Sequence, residues 1–229
     1  MLKNSESLKY DFEKLTKISI QTSENKKVRI ITWQIQFSSG VFSYFGFIQS
    51  NANKNDILLY QLNDKSEEIS NIENAVFTPE KWYGTLYYKI VTNKYKKDTY
   101  YTLLGWDGND NLTNKKIIDV LYFDSNNNPV FGKPVFSYEN KIQNRIIFEY
   151  GEQVKMLLNF DEDYKMIIWD HLAPSSPALK DKFQYYGPDF SYDGLKFNKG
   201  IWEFYPKITP KNKTDNNSGK KPKSSNNLH

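Results

Sequence analysis

Between Gln143 and Leu172 the chain reads QNRIIFEYGEQVKMLLNFDEDYKMIIWDHL: short runs of aliphatic and aromatic residues broken by Gly151-Glu152 and Asp161-Glu162-Asp163. Successive side chains of a strand point to opposite faces, so a period of two is the signature of a strand with one buried side. Val154, Met156, Leu158 and Phe160 alternate with Lys155, Leu157 and Asn159. The stretch predicts three consecutive β-strands, Asn144–Tyr150, Gln153–Phe160 and Tyr164–Leu172, joined by two tight turns, the first short enough for a two-residue hairpin loop.

The rhythm recurs through most of the sequence. In Val28–Phe37, Ile31, Trp33, Ile35 and Phe37 share one face, and Thr32, Gln34 and Gln36 the other. Ser38-Ser39-Gly40 turns the chain into Val41–Gln49, where Gly46 marks a bulge or a close backbone approach. Further runs at Asp56–Leu62, Trp82–Thr92, Thr99–Trp106, Lys116–Phe123, Pro129–Phe136 and Gly200–Tyr205 are separated by Asn, Asp and Gly, residues that tolerate positive φ or close Asx-turns. Asn63–Lys81 is acidic and polar and reads as a long loop with one helical turn; Phe183–Phe197 is aromatic but interrupted by Gly-Pro and Asp-Gly. Roughly twelve short strands at near-regular spacing predict an all-β fold, an antiparallel meander forming a barrel or a sandwich. A single β domain over residues 18–206 accommodates them, with 17 Tyr and 15 Phe to fill its core.

The two ends depart from this pattern. Residues 1–17 predict an N-terminal amphipathic helix: Leu8, Phe12 and Leu15 recur at spacings of four and three, with Ser5 or Ser7 as cap. Its expected role is to cover an end or edge of the sheet. Residues 207–229 hold six Lys against Asp215 and so contribute +5 to a whole-chain charge of +4, leaving the body at −1. Such a segment buries too little apolar surface to offset its ordering entropy, and predicts a disordered basic tail. A nucleic-acid-binding fold carries its positive charge on the folded surface, so no nucleic-acid partner is expected.

There are no cysteines, which excludes disulfides, thiol catalysis and cysteine-ligated zinc. No run approaches the ~20 apolar residues of a membrane-spanning helix. The opening MLKNSESLKYDF carries no basic-then-apolar signal segment, so the chain is either cytosolic or a mature form whose export signal has been removed.

Candidate chemistry is sparse. Trp106, Asp107 and Asp110 lie in Gly105–Asn111, whose oxygens reach calcium-loop density without EF-hand spacing; hairpin formation explains the same residues. His171 is the one histidine outside the tail, beside Asp170 and shortly before Ser175 and Ser176. Neighbours in a strand point apart, and no G-x-S-x-G elbow is present, so a strand-end structural histidine is the plainer reading. Asp189 and Asp193, between Gly187 and Gly194, are the carboxylates of most interest for a glycosidase pair, against a turn role beside Pro and Gly. Tyr185 and Tyr186, next to Gly-Pro, and Trp106, next to a turn, are the aromatics expected at the surface, where they suit sugar stacking or a protein interface. No catalytic set, metal site, phosphate loop or cofactor is expected.

Taken in order, Tyr100–Asp110 (YYTLLGWDGND), Lys116–Phe123 with Pro129-Val130-Phe131-Gly132, Met166–Leu172 (MIIWDHL) and Pro188–Leu195 (PDFSYDGL) resemble an uncharacterised protein group of Bacteroidota, the flavobacteria and their relatives. The resemblance covers roughly Ile30–Trp202 and carries no active-site residues. It implies export, hence the periplasm or cell surface; a cytoplasmic place stays open because the chain shows no signal. The expected function is that of a non-enzymatic extracytoplasmic binding or assembly protein of the bacterial cell envelope. Its partner would be a protein or a glycan, within an assembly that can be membrane-associated. The alternatives are a carbohydrate-binding module using Trp106, Tyr185 and Tyr186, or a carboxylate-dependent glycoside hydrolase.

Overall fold

A strand covered on both faces is buried at consecutive positions rather than at alternate ones, and β6 (Asp98–Asp107) is such a strand from Tyr100 to Gly105. Tyr100 and Leu104 enter one core, while Tyr101 and Leu103 enter another. The structure, a computed structural model, describes residues 2–10, 12–53 and 56–209. Among these, fifteen strands form three sheets. The first is the meander β1 (Ser19–Thr22), β2 (Val28–Gln36), β3 (Phe42–Asn53) and β4 (Asp56–Asn63). The second sets β5 (Leu86–Tyr95), β6 and β7 (Thr113–Phe123) side by side; β11 (Ile146–Gly151) and the short β8 (Pro129–Phe131) both pair with β7. The third runs β10 (Lys141–Gln143), β9 (Phe136–Tyr138), β15 (Ile201–Ile208), β14 (Tyr186–Asn198), β13 (Met166–Pro174), β12 (Leu158–Asp161). Every strand pairing is antiparallel except that of β15 with β9, where Trp202 lies opposite Phe136.

The fold is therefore all-β and antiparallel, and of the two architectures expected it is the sandwich, with three layers. Ile118, Val120, Phe148, Trp169, Leu195 and Trp202 fill the space between the second and third sheets. Val28, Ile30, Ile48, Leu103, Ile117 and Phe131 fill that between the first and second. Buried polar bonds pin the layers together. Trp202 Nε1 donates to Thr102 Oγ1 at 2.9 Å, and that hydroxyl donates to Asn93 Oδ1 at 2.7 Å. Thr32 Oγ1 accepts from the Tyr87 N–H at 3.0 Å, beside the register shift of β5 at Tyr87–Lys89. Asp119 and Arg145 form an ion pair at 2.8 Å, with side chains 1% and 0% exposed. Arg145 also donates to the Ile72 and Ala75 carbonyls and lies 4.2 Å from the Phe77 ring centroid, which fastens the long 64–82 loop to the body. Removing one partner of such a pair costs about 3–5 kcal/mol, because the other charge stays buried.

Three expectations change. The N-terminal helix is a 3-10 turn over Ser5–Lys9, capped by Asn4. The reason lies on the outer face of the first sheet, where Arg29 donates to the carbonyls of Ser7 (2.7 Å), Leu8 (2.8 Å) and Tyr10 (3.2 Å). The guanidinium thus answers carbonyls at the end of the turn, while the Ser7 oxygen also accepts the Tyr10 N–H at 3.2 Å. Gln49, opposite Arg29 in the ladder, adds a bond to the Leu2 carbonyl at 2.6 Å. Next, Gly151-Glu152 makes no hairpin: β11 pairs with β7 in the second sheet, and β12 with β13 in the third. Val154 packs against the core between those sheets and Met156 is buried in it, so the segment is a crossover. Finally, the last strand, expected over Gly200–Tyr205, runs on to Ile208. From Pro210 the expected basic tail lies outside the described residues.

Gly46 is the close approach that its place in a strand suggested. A Cβ there would lie 2.7 Å from the Ile31 carbonyl oxygen and 2.9 Å from Leu62 Cδ1.

Candidate functional site

Two carboxylates expected to serve a site stand at the centres of two hydrogen-bonded clusters. Asp107 ends β6 with its side chain on the face that meets the first sheet, and is buried. Its Oδ1 accepts from the Tyr44 hydroxyl at 2.9 Å and the Asn109 N–H at 2.9 Å; its Oδ2 accepts from the Tyr83 hydroxyl at 2.7 Å. Tyr44 in turn accepts from the Gly108 N–H at 2.7 Å. Burial first, and the charge of Asp107 second, push both phenols well above the ordinary tyrosine range, so they stay protonated and donate.

Above this floor opens a cleft of about 730 Å³ between the β2–β3 hairpin, the end of β4 with the following 64–68 turn, and the 107–115 loop. Phe42, Phe45 and Tyr83 line it beside Asp64, Glu67 and Lys115. Asp64 is spoken for: the Tyr44 N–H and the Ser66 N–H and hydroxyl all donate to it. Lys115 Nζ donates to Asn109 Oδ1 at 2.6 Å. Asp107 and Asp64 are not placed as free general acids or bases, since each of their carboxylate oxygens already holds a donor.

Around the cleft mouth the outer face of the first sheet turns apolar. Trp33 and Phe45, ladder partners, stack at 5.7 Å, and Phe47 lies 6.1 Å from Trp33. Ile35, Phe37, Val41 and Phe45 remain 38 to 51% exposed. The face formed by Ile31, Trp33, Ile35 and Phe37 thus points away from the neighbouring sheet, while Val28, Ile30 and Thr32 point toward it.

The second cluster lies on the third sheet. Register along β13 and β14 jumps from Asp170–Tyr192 to Leu172–Pro188, so His171 alone faces Asp189, Phe190 and Ser191. This irregularity turns His171 toward its neighbour strand. His171 Nδ1 lies 2.7 Å from Asp193 Oδ2, and Nε2 lies 4.0 Å from Asp189 Oδ2. Asp193 is buried, and its Oδ1 accepts the Lys207 N–H at 2.9 Å across a second shift between β14 and β15. Ser191 donates to Asp189 Oδ1 through both its hydroxyl (2.6 Å) and its N–H (3.0 Å). The hydroxyl bond leads in holding the Asp189 carboxyl below its usual range, and His171 adds to it. Among the described residues no serine hydroxyl bonds to His171. Asp170 turns the other way and accepts the Leu157 N–H at 2.7 Å.

The remaining candidates scatter. Asp110 closes a turn, its Oδ1 accepting the Leu112 and Thr113 N–H groups at 2.8 Å each. Trp106 backs the cleft wall edge-on to Phe42 at 5.4 Å. Tyr185 is exposed and Tyr186 packs on Phe183 at 5.2 Å; no ring contact joins either to Trp106 among the described residues. Tyr44, Tyr83 and Lys115 went unnoticed in the sequence because nothing local distinguishes them from other strand and loop residues. Among the described residues no group of three or more His, Asp or Glu side chains is placed to hold a metal ion, and no helix is long and apolar enough to cross a membrane. Compared with known proteins, the chain matches no family model, no curated protein and no solved structure.

Proposed function

We propose that the protein is a non-enzymatic binding or assembly component of the bacterial cell envelope, working in the periplasm or at the cell surface. Its binding surface is the cleft over Asp107 with the apolar tip of the β2–β3 hairpin. The observation that carries this reading is the exposure of Val41 and Phe45, which line an open, polar-floored cleft, together with that of Ile35 and Phe37 on the same hairpin. Contiguous apolar surface rimmed by polar groups is the physical mark of a protein-docking site. The saturated hydrogen bonding of Asp107 and Asp64 supports a binding role over a catalytic one. Extracytoplasmic placement rests on the resemblance to exported Bacteroidota proteins. The test is a photo-crosslinking residue at Phe37 in envelope preparations. An adduct that disappears with Val41→Glu or Phe45→Glu supports the reading; no adduct above background overturns it.

A glycan is the second reading. Phe42, Phe45 and Tyr83 stand in the same cleft as Gln61, Asn63 and Asn109, the mixture of rings and planar amides that sugars engage. Binding on a glycan array that falls at least tenfold with Asn63→Ala selects this reading; silence at high protein concentration removes it. The glycosidase alternative gains no support, since Asp189 and Asp193 flank an imidazole instead of facing each other across a cleft.

A further inference from the structure

We propose that His171 and Asp189 form a binding site for a divalent transition-metal ion of the zinc class, with Asp193 as the carboxylate that orients the imidazole. The site is independent of the cleft over Asp107.

The geometry carries the inference. A carboxylate only accepts, so the 2.7 Å contact with Asp193 engages Nδ1 as the donor and leaves Nε2 as the ring nitrogen facing Asp189 and solvent. A metal-bound histidine almost always donates its other ring N–H to a carboxylate or carbonyl, which fixes the tautomer and raises ligand basicity. Asp193 is well suited to that part: its side chain is 4% exposed, and its second oxygen is anchored by the Lys207 N–H, so it cannot swing away. On the opposite side of the ring, Nε2 looks toward Asp189 Oδ2 at 4.0 Å, too far for a hydrogen bond. An ion with bonds of about 2.0–2.1 Å to each atom in tetrahedral geometry needs them about 3.4 Å apart. A closure of roughly half an ångström makes the pair a two-ligand site. Asp189 is already held by Ser191 through its other oxygen, which leaves Oδ2 for the metal.

His171 is 46% exposed and Asp189 39%, so an ion enters directly from solvent and keeps open coordination positions. A mixed imidazole and carboxylate set favours zinc, nickel or copper over magnesium, which demands oxygen ligands in near-ideal octahedral geometry.

Zinc titration of the full chain, followed through the histidine ring resonances, tests the proposal. The chain has two histidines, and the second is His229. In the parent, saturable zinc binding that shifts the His171 ring signals is expected, with no response to magnesium. His171→Ala abolishes it, and His229→Ala leaves it in place. Asp189→Asn weakens it at least tenfold by removing a ligand. Asp193→Asn, which touches no metal, weakens it roughly 10–100-fold through the lost orientation. Backbone amide spectra of each variant confirm the fold. Unmoved His171 signals at millimolar zinc overturn the proposal, as does unchanged affinity in both Asp189→Asn and Asp193→Asn.

Discussion

Asp107 and Asp193 are both buried aspartates at the ends or irregularities of strands, yet they sit in opposite chemical situations. Asp107 meets three donors, two of them phenols, and it closes the floor of a cleft. Asp193 meets a single backbone N–H and an imidazole whose far nitrogen looks outward. A carboxylate whose every oxygen is answered from within shapes a surface. One that passes its influence through a histidine leaves a ligand position at the protein's edge. Burial alone does not tell the two apart; the accounting of donors does.

Substitutions can break or sharpen that contrast. The largest effect is expected from Asp107→Ala, which orphans two buried phenols at about 1–3 kcal/mol each, so a loss of about 3 kcal/mol or more in urea unfolding is expected. A loss below about 1 kcal/mol would mean that water replaces the carboxylate and that the floor is not dry. Tyr83→Phe removes one of the three donors and should cost about 1–2 kcal/mol in the same measurement. Asp193→Asn presents an amide where one oxygen stood; the imidazole can answer by moving its proton to Nε2, so the stability cost should stay near 1 kcal/mol or less. Nitrogen chemical shifts of the ring read that tautomer change, and their constancy would refute it. Phe190 is 95% exposed at φ +68°, in the left-handed region that costs a side-chain-bearing residue about 1–2 kcal/mol. Phe190→Gly therefore should raise stability by up to ~1 kcal/mol, since glycine returns part of the gain as chain entropy. Asp189→Asn touches an exposed group and should stay within ~0.5 kcal/mol, which separates its role in metal affinity from any role in folding.

The layered β architecture was legible because alternation is a local property. Met156, Leu158 and Phe160 are buried while Leu157 is exposed, as their spacing implied. Pairing partners are not local: Gly151-Glu152 has the length of a hairpin loop, yet the chain uses it to pass from one sheet to another. Both cores were needed to decide which face of β2 is inward. At the second cluster, sequence singled out Asp189, Asp193 and His171 separately but could not join them. Strand alternation sends His171 away from Asp170, which is correct. Only the register shift, three residues opposite one, brings Asp189 and Asp193 to either side of the ring. Nothing in residues 186–198 encodes that shift in a form a period-two reading detects. The cleft was less legible still, since Tyr44 and Asp107 are 63 positions apart in the chain.

The way Arg29 and Gln49 hold the N-terminal segment has an evolutionary corollary. Apart from one bond to the Ser7 hydroxyl, their bonds to residues 2–10 reach main-chain oxygens, which every amino acid supplies. Substitutions at Lys3, Glu6 or Lys9 leave those oxygens in place, so the lead-in peptide is free to diverge in sequence while keeping its seat. The two gripping side chains have no such latitude.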